Sequence, residues 1–205
     1  MNGVTESDAN LAIDATGAPS YLVRHGAMRF LGVYDASPRS AIRRGDVAIL
    51  RTERGLEIGH ILRPATPEAV AAIPEPTRGE ILRVATNEDR AKIAAIEAAR
   101  DADLAAATKL VNQFRLAMQF VDVERLFGEE RVIFYFMSEH RVDFRELVRG
   151  MAREFHARIE LRQIGVRDEA KLLADFGDCG KPVCCNTHMF VMPPVKTFPN
   201  TEERP

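Results

Sequence analysis

Positive charge is not in excess. The 205 residues hold 28 Lys and Arg against 30 Asp and Glu, a formal net charge of -2, which argues against a chain coated in positive charge for indiscriminate binding to nucleic acid. A local basic stripe stays open. Cysteine is scarce: there are three, an odd number, all between Cys179 and Cys185. A disulfide framework is thereby disfavoured, and metal or thiol chemistry becomes the question. No apolar run approaches the roughly 20 residues that a membrane-spanning helix needs. The first residues, with Glu6, Asp8 and Asp14, have neither a basic segment nor an apolar one of the kind that directs export. A cytoplasmic protein without membrane insertion is expected. Catalytic signatures are also missing. There is no Walker loop, no G-x-G-x-x-G, no His-Glu-x-x-His and no Gly-x-Ser-x-Gly. His25, His60, His140 and His156 form no ligand pair at sequence level. These absences favour a protein that is not an enzyme.

What is present is an ordinary globular composition, 46% hydrophobic and 28% charged, long enough for one domain or two small ones. Residues 1–19 and 191–205 are polar and aperiodic and are expected to be disordered tails. Residues 20–86 read as a small antiparallel β-sheet or barrel. Its strand material includes Tyr21-Leu22-Val23-Arg24, Met28 to Tyr34, Asp46 to Thr52 and Leu56 to Leu62, with Glu53-Arg54-Gly55 as a tight-turn signal. Gly59 suggests a bulge or corner. Four prolines between Pro64 and Pro76 exclude a long regular element there. A short helical turn fits around Glu68–Ala72, and Glu80–Val84 returns as a strand.

Residues 87–115 read as a helical connector, opened by an Asn87 cap with Glu88 and Asp89 in the first turn, and divided in two at Asp101-Ala102-Asp103. Residues 116–190 read as β-β-α-β followed by a cysteine loop. Arg131–Met137 is apolar on both faces and should be the central strand. Asp143 should cap a helix whose Phe144, Leu147, Val148, Met151 and Phe155 share one face. The fold class is α+β, with no internal repeat.

Two features could carry chemistry. In Gly177-Asp178-Cys179-Gly180-Lys181-Pro182-Val183-Cys184-Cys185, Gly and Pro keep the backbone irregular, so that thiolates can converge on a soft metal or an iron–sulfur cluster. The C-x4-C-C spacing fits no ordinary zinc pattern, and the set of four is one short. Asp178, His188, a small molecule or a partner could supply the fourth ligand; the alternative is three buried or unused thiols. The second feature is an arginine stripe, Arg141, Arg145, Arg149 and Arg153, spaced by four on one face of the expected helix and followed by Arg158, Arg162, Arg167 and Lys171. It reads either as a surface for phosphate or acidic partners or as a solvated face whose charges pair with Glu146 and Glu154. In Arg167-Asp168, Asp168 could be a base, or it could cap a turn while Arg167 ties down the cysteine loop.

Taken together, Arg141-Val142-Asp143-Phe144-Arg145-Glu146-Leu147-Val148, the run from Arg158 to Lys171 and Cys179-Gly180-Lys181-Pro182-Val183-Cys184-Cys185 resemble the polymerase-suppressor (PSP) C-terminal conserved region family. The Gly45–Gly59 hairpin matches the N-terminal part of its RicT-type (YaaT-like) bacterial members. The resemblance covers about residues 20–190. It implies a cytoplasmic regulatory and scaffold subunit that joins the small helical proteins RicA and RicF, shares a [4Fe-4S] cluster and acts with the endoribonuclease RNase Y in RNA processing. It also implies that Cys179, Cys184 and Cys185 occupy cluster-ligand positions. Family members carry a further cysteine-rich segment, whereas this chain continues from Val191 into Pro193-Pro194-Val195-Lys196. The fourth thiolate is therefore expected from a partner.

Three functions stand side by side. The first is this adaptor role with a site completed in trans. The second is direct RNA binding through the arginine face. The third is a thiol redox enzyme using Cys179 with Cys184 or Cys185, its thiol activated by Lys181.

Overall fold

The computed structural model describes residues 18–73, 75–165, 168, 169 and 172. The cysteine loop, Arg167 and both tails lie outside the described residues.

Five strands close a barrel in the order β1-β2-β5-β3-β4: β1 (Ser20–His25), β2 (Phe30–Ala36), β3 (Val47–Thr52), β4 (Gly55–Pro64) and β5 (Thr77–Val84). The expected barrel is there, but not as a wholly antiparallel one. β5 enters between β2 and β3, parallel to the first and antiparallel to the second. The intervening α1 (Pro67–Ala71), capped by the Thr66 hydroxyl, carries the chain across the barrel so that β5 runs alongside β2. Val23, Tyr34, Ala48, Leu50, Ile61 and Ile81 fill the interior, while Ala69 and Ile73 cover Leu22 and Val33 outside it.

Gly59 is not a bulge. It pairs regularly with Ala48, and a Cβ there would stand 2.4 Å from Leu50 and 2.5 Å from Val23, so the small residue serves close packing. The register slips at Leu62 instead, where Leu22 faces Arg63 and Val23 faces Ile61. A second slip leaves Leu82 unpaired opposite β3 and exposed.

α2 (Asn87–Gln113) is one uninterrupted helix, about 40 Å long at 1.5 Å per residue. Two expectations are corrected here. The cap is Thr86, whose hydroxyl accepts from the Asp89 N–H while the Asp89 carboxylate accepts from the Thr86 N–H, a reciprocal capping box. The Asp101-Asp103 segment does not divide the helix, because its charges are used sideways. Arg125 donates to Asp103 at 2.8 Å, and neighbouring Arg100 donates to buried Asp122 at 2.6 Å, fastening the helix to the next strand.

β6 (Gln119–Arg125), β7 (Arg131–Met137), α3 (Arg145–Phe155) and β8 (Arg158–Gln163) complete the β-β-α-β unit. β7 is central, antiparallel to β6 and parallel to β8, and Val132 to Phe136 are buried throughout. α2 and α3 cover one face, with Ala107, Val111, Leu147 and Met151 set on Phe120, Val123 and Phe134. Asp143 does not cap α3; the N-cap is Phe144, without a side-chain bond. Asp143 instead accepts from the Arg145 backbone N–H and guanidinium. The other face of the sheet presents Val121, Ile133 and Tyr135 to Ala27 and Met28 in the β1–β2 turn of the barrel. That contact joins the two parts.

Candidate functional site

Where barrel and sheet meet, their strands deliver a buried polar network. β1 ends on His25 and β2 carries Tyr34. The short β3–β4 turn presents Arg54, held because the Thr52 hydroxyl accepts from the Arg54 N–H at 3.0 Å and Gly55 takes up φ 133°. Glu57 follows on β4, Thr77 opens β5, and β6 and β7 contribute Glu124 and Tyr135. His25 and Glu57 are buried, and Tyr34 is fully so.

The bonds close on one another. His25 Nδ1 lies 2.9 Å from Glu57 Oε2, and Tyr34 Oη and Thr77 Oγ1 lie 2.8 and 3.0 Å from His25 Nε2. Arg54 Nε donates to Glu57 Oε1 at 2.9 Å, and its terminal nitrogens donate to Glu124 at 2.7 and 3.1 Å. The Tyr135 hydroxyl donates to Glu124 Oε2 at 2.7 Å. One guanidinium thus serves a carboxylate of the barrel and a carboxylate of the sheet, a fork geometry that lysine lacks. Burial alone would raise the Glu57 pKa; the hydrogen bonds and positive charge of Arg54 and His25 more than offset it and hold the carboxyl at about 2. Tyr34 is pushed up to about 12, chiefly by burial and then by the Glu57 charge, against the Thr77 hydrogen bond. Tyr135 moves up for the same reason, reinforced by Glu124.

Two glycines make room for this. A Cβ on Gly32 would stand 2.2 Å from Thr77 Oγ1, and one on Gly79 would stand 2.7 Å from the Tyr34 ring and 2.3 Å from the Arg51 carbonyl. Above the network lies a cleft of about 370 Å³. Phe30 and Pro76 form its apolar part, and Thr77, Arg78, Arg54 and Arg162 its polar part. The Arg54 and Arg162 guanidiniums lie 5.3 and 5.8 Å from the Phe30 ring centre.

Of the residues singled out by sequence, Arg162 lines this cleft, while the α3 stripe does not. Arg141, Arg145, Arg149 and Arg153 are all exposed, on α3 and its approach, away from the apolar side formed by Leu147 and Met151. Arg145 pairs with Asp143 at 2.6 Å, and Arg149 pairs with Glu146. The outcome for these two is the solvated, locally paired face. Arg158 and Asp168 are exposed, and the Glu169 N–H donates to the Gly165 carbonyl at 3.0 Å, as in a helical turn. Cys179, Cys184, Cys185 and Arg167 lie outside the described residues, and among the described residues no three His, Cys, Asp or Glu side chains are grouped to hold a metal. No helix among the described residues is long and apolar enough to cross a membrane.

Sequence reasoning missed the His25–Glu57–Arg54–Glu124 network. The one signal for it was the Glu53-Arg54-Gly55 turn, read for its backbone and not for its charge.

Residues 79–164 match the PSP1 C-terminal conserved region. The match starts inside β5 and runs to the residue after β8, so it takes one barrel strand, α2 and the whole β-β-α-β unit. The chain is also 40% identical over 157 residues to the stage 0 sporulation protein YaaT of Bacillus subtilis (strain 168), over 75% of this chain and 56% of that protein. The chain therefore spans little more than half the length of this relative. No solved structure matches the chain. On these likenesses residues 79–164 are a PSP1 C-terminal conserved region, within a chain that resembles YaaT over three quarters of its length.

Proposed function

We propose that this protein is a cytoplasmic, non-enzymatic regulatory and scaffold subunit of RicT type in an RNA-processing complex. The observation that carries the reading is the 40% identity to YaaT, a protein named for sporulation, over three quarters of the chain. The described part supports it. Its polar network is tied up internally, with Glu57 and Glu124 both engaged by Arg54, as suits a rigid framework. The partners proposed are small RicA- and RicF-like proteins and an RNase Y-type endoribonuclease.

Cys179, Cys184 and Cys185 would contribute three thiolates to a [4Fe-4S] cluster. Such a cluster takes four, so the donor set fits a site shared with a partner. Bound, the cluster would supply a redox-sensitive link between chains. The alternative of RNA gripped by the α3 arginines is weakened by the Arg145–Asp143 and Arg149–Glu146 pairs.

Anaerobic affinity purification of the full chain with its partners, followed by iron and sulfide analysis and identification of the co-purifying chains, tests the proposal. Brown protein that loses its iron on Cys184→Ser supports it. Colourless, iron-free protein that brings down no partner refutes it.

A further inference from the structure

The geometry points to the cleft above Thr77 as a binding site for a compact phosphomonoester, a molecule of sugar-phosphate or mononucleotide size gripped from both parts of the fold. Its volume, about 370 Å³, lies in the range of small-ligand sites, which favour the junction between two folded parts. Its walls come from different units. Arg78 stands on β5 of the barrel and Arg162 on β8 of the sheet.

The donors there are unspent. Arg78 is exposed and has no ion pair or side-chain hydrogen bond among the described residues. Among the described residues Arg162 donates only through Nε, to Glu160 at 3.2 Å, and neither terminal nitrogen has a partner there. Two guanidinium groups, one from the barrel and one from the sheet, suit a tetrahedral oxyanion with three acceptor oxygens; a carboxylate is satisfied by one fork. Phe30 and Pro76 offer an apolar surface to the body of the ligand, and the Thr77 hydroxyl offers a polar contact.

The buried network explains why this wall is stiff. His25 and Tyr34 line the floor and fix Thr77, while Glu57 fixes Arg54. Gly32 and Gly79 clear the space that this arrangement needs. Two acids line the cleft: buried Glu57, whose charge Arg54 already engages, and exposed Glu53, which should oppose the ligand.

Titration calorimetry of the full chain at low salt, with inorganic phosphate, ribose 5-phosphate, adenosine 5′-monophosphate and unphosphorylated adenosine, tests this. Saturable binding of a phosphorylated probe, absent for adenosine, is expected. Equal affinity for the two organic phosphates would mean that the phosphate and sugar are read; preference for the nucleotide would mean that the Phe30 surface reads the base. Because Arg78 and Arg162 are both solvent-accessible, Arg78→Ala and Arg162→Gln should melt as the native protein does. Each should bind at least about tenfold more weakly, as loss of a charge-assisted hydrogen bond implies, and Glu53→Gln should bind more tightly. No saturable binding of any phosphorylated probe, or native affinity in Arg78→Ala and Arg162→Gln, overturns the assignment. Neither result bears on cluster content or on partner capture.

Discussion

Replacing Arg54 by methionine tests the joint between barrel and sheet most directly. Methionine keeps an apolar stem against Phe30 and removes the one cation that Glu57 and Glu124 share. The magnitude follows by two routes. Glu57 sits at about 2 against an ordinary 4.5, a linkage contribution of about 3 kcal/mol at neutral pH from 1.36 kcal/mol per unit. Breaking a buried pair by removing one partner costs about 3–5 kcal/mol. At about 2–4 °C per kcal/mol for a chain of this size, Arg54→Met should melt roughly 6–20 °C lower.

The pH dependence sharpens the test. In the native protein the Glu57 carboxyl is depressed, so its contribution is present above pH 4.5 and is lost as the pH falls toward about 2. Without Arg54, desolvation governs Glu57, its folded pKa rises above the unfolded one, and protonation relieves the variant. Thermal melts followed by circular dichroism should therefore show the gap between native and variant narrowing from pH 7 to pH 4. Arg54→Lys, which keeps charge without the fork, should fall between the two. A variant that melts within about 2 °C of native, or a gap constant across that pH range, would show that the joint is held by the apolar contact of Ala27 and Met28 with the sheet and not by the guanidinium.

Alkaline difference spectra should find Tyr34 ionising only near pH 12 and Tyr135 still protonated there, because both hydroxyls are buried and the Glu57 and Glu124 charges add to that effect; tyrosinate absorbance from either at pH 10.5 contradicts the network. Gly79→Ala puts a Cβ 2.3 Å from the Arg51 carbonyl, backbone that cannot swing away, and should cost about 2–4 kcal/mol in urea unfolding. Gly165→Ala, where no described residue stands within 4 Å, should be neutral. Thr86→Ala removes half of the α2 capping box and should lower stability by about 1 kcal/mol; no change would mean that the long helix is fixed by Arg100 and Arg125 alone.

Periodicity made much of the fold legible. Arg131–Met137 reads as a buried central strand because it is apolar on both faces, and α3 reads from Leu147, Met151 and their neighbours. The misreadings have physical causes. Asn87 is as good a cap as Thr86 by residue type, and the choice is made by a backbone in which Asp89 can reach the Thr86 N–H. Asp101 and Asp103 look like helix interrupters only while Arg125, 22 residues beyond Asp103, is out of view. The parallel β2–β5 pair depends on how α1 turns the chain, which no local pattern of β5 encodes.

The joint was illegible for a related reason. His25 meets residues 32 and 52 positions away, and Arg54 meets Glu124 across 70. Each is an unremarkable polar residue in its own segment, and only the closed barrel makes them neighbours. This bears on how the conserved region works as a unit. Residues 79–164 contain most of β5 but none of β1 to β4, so taken alone they hold one stave whose partners β2 and β3 are missing. They also hold Glu124 and Tyr135 without Arg54. A region bounded at 79 therefore keeps its apolar core under α2 and α3 yet exposes an unpaired strand and leaves a half-buried carboxylate without its cation. The physical unit runs from β1 to β8, because the barrel supplies the charge that the sheet has buried.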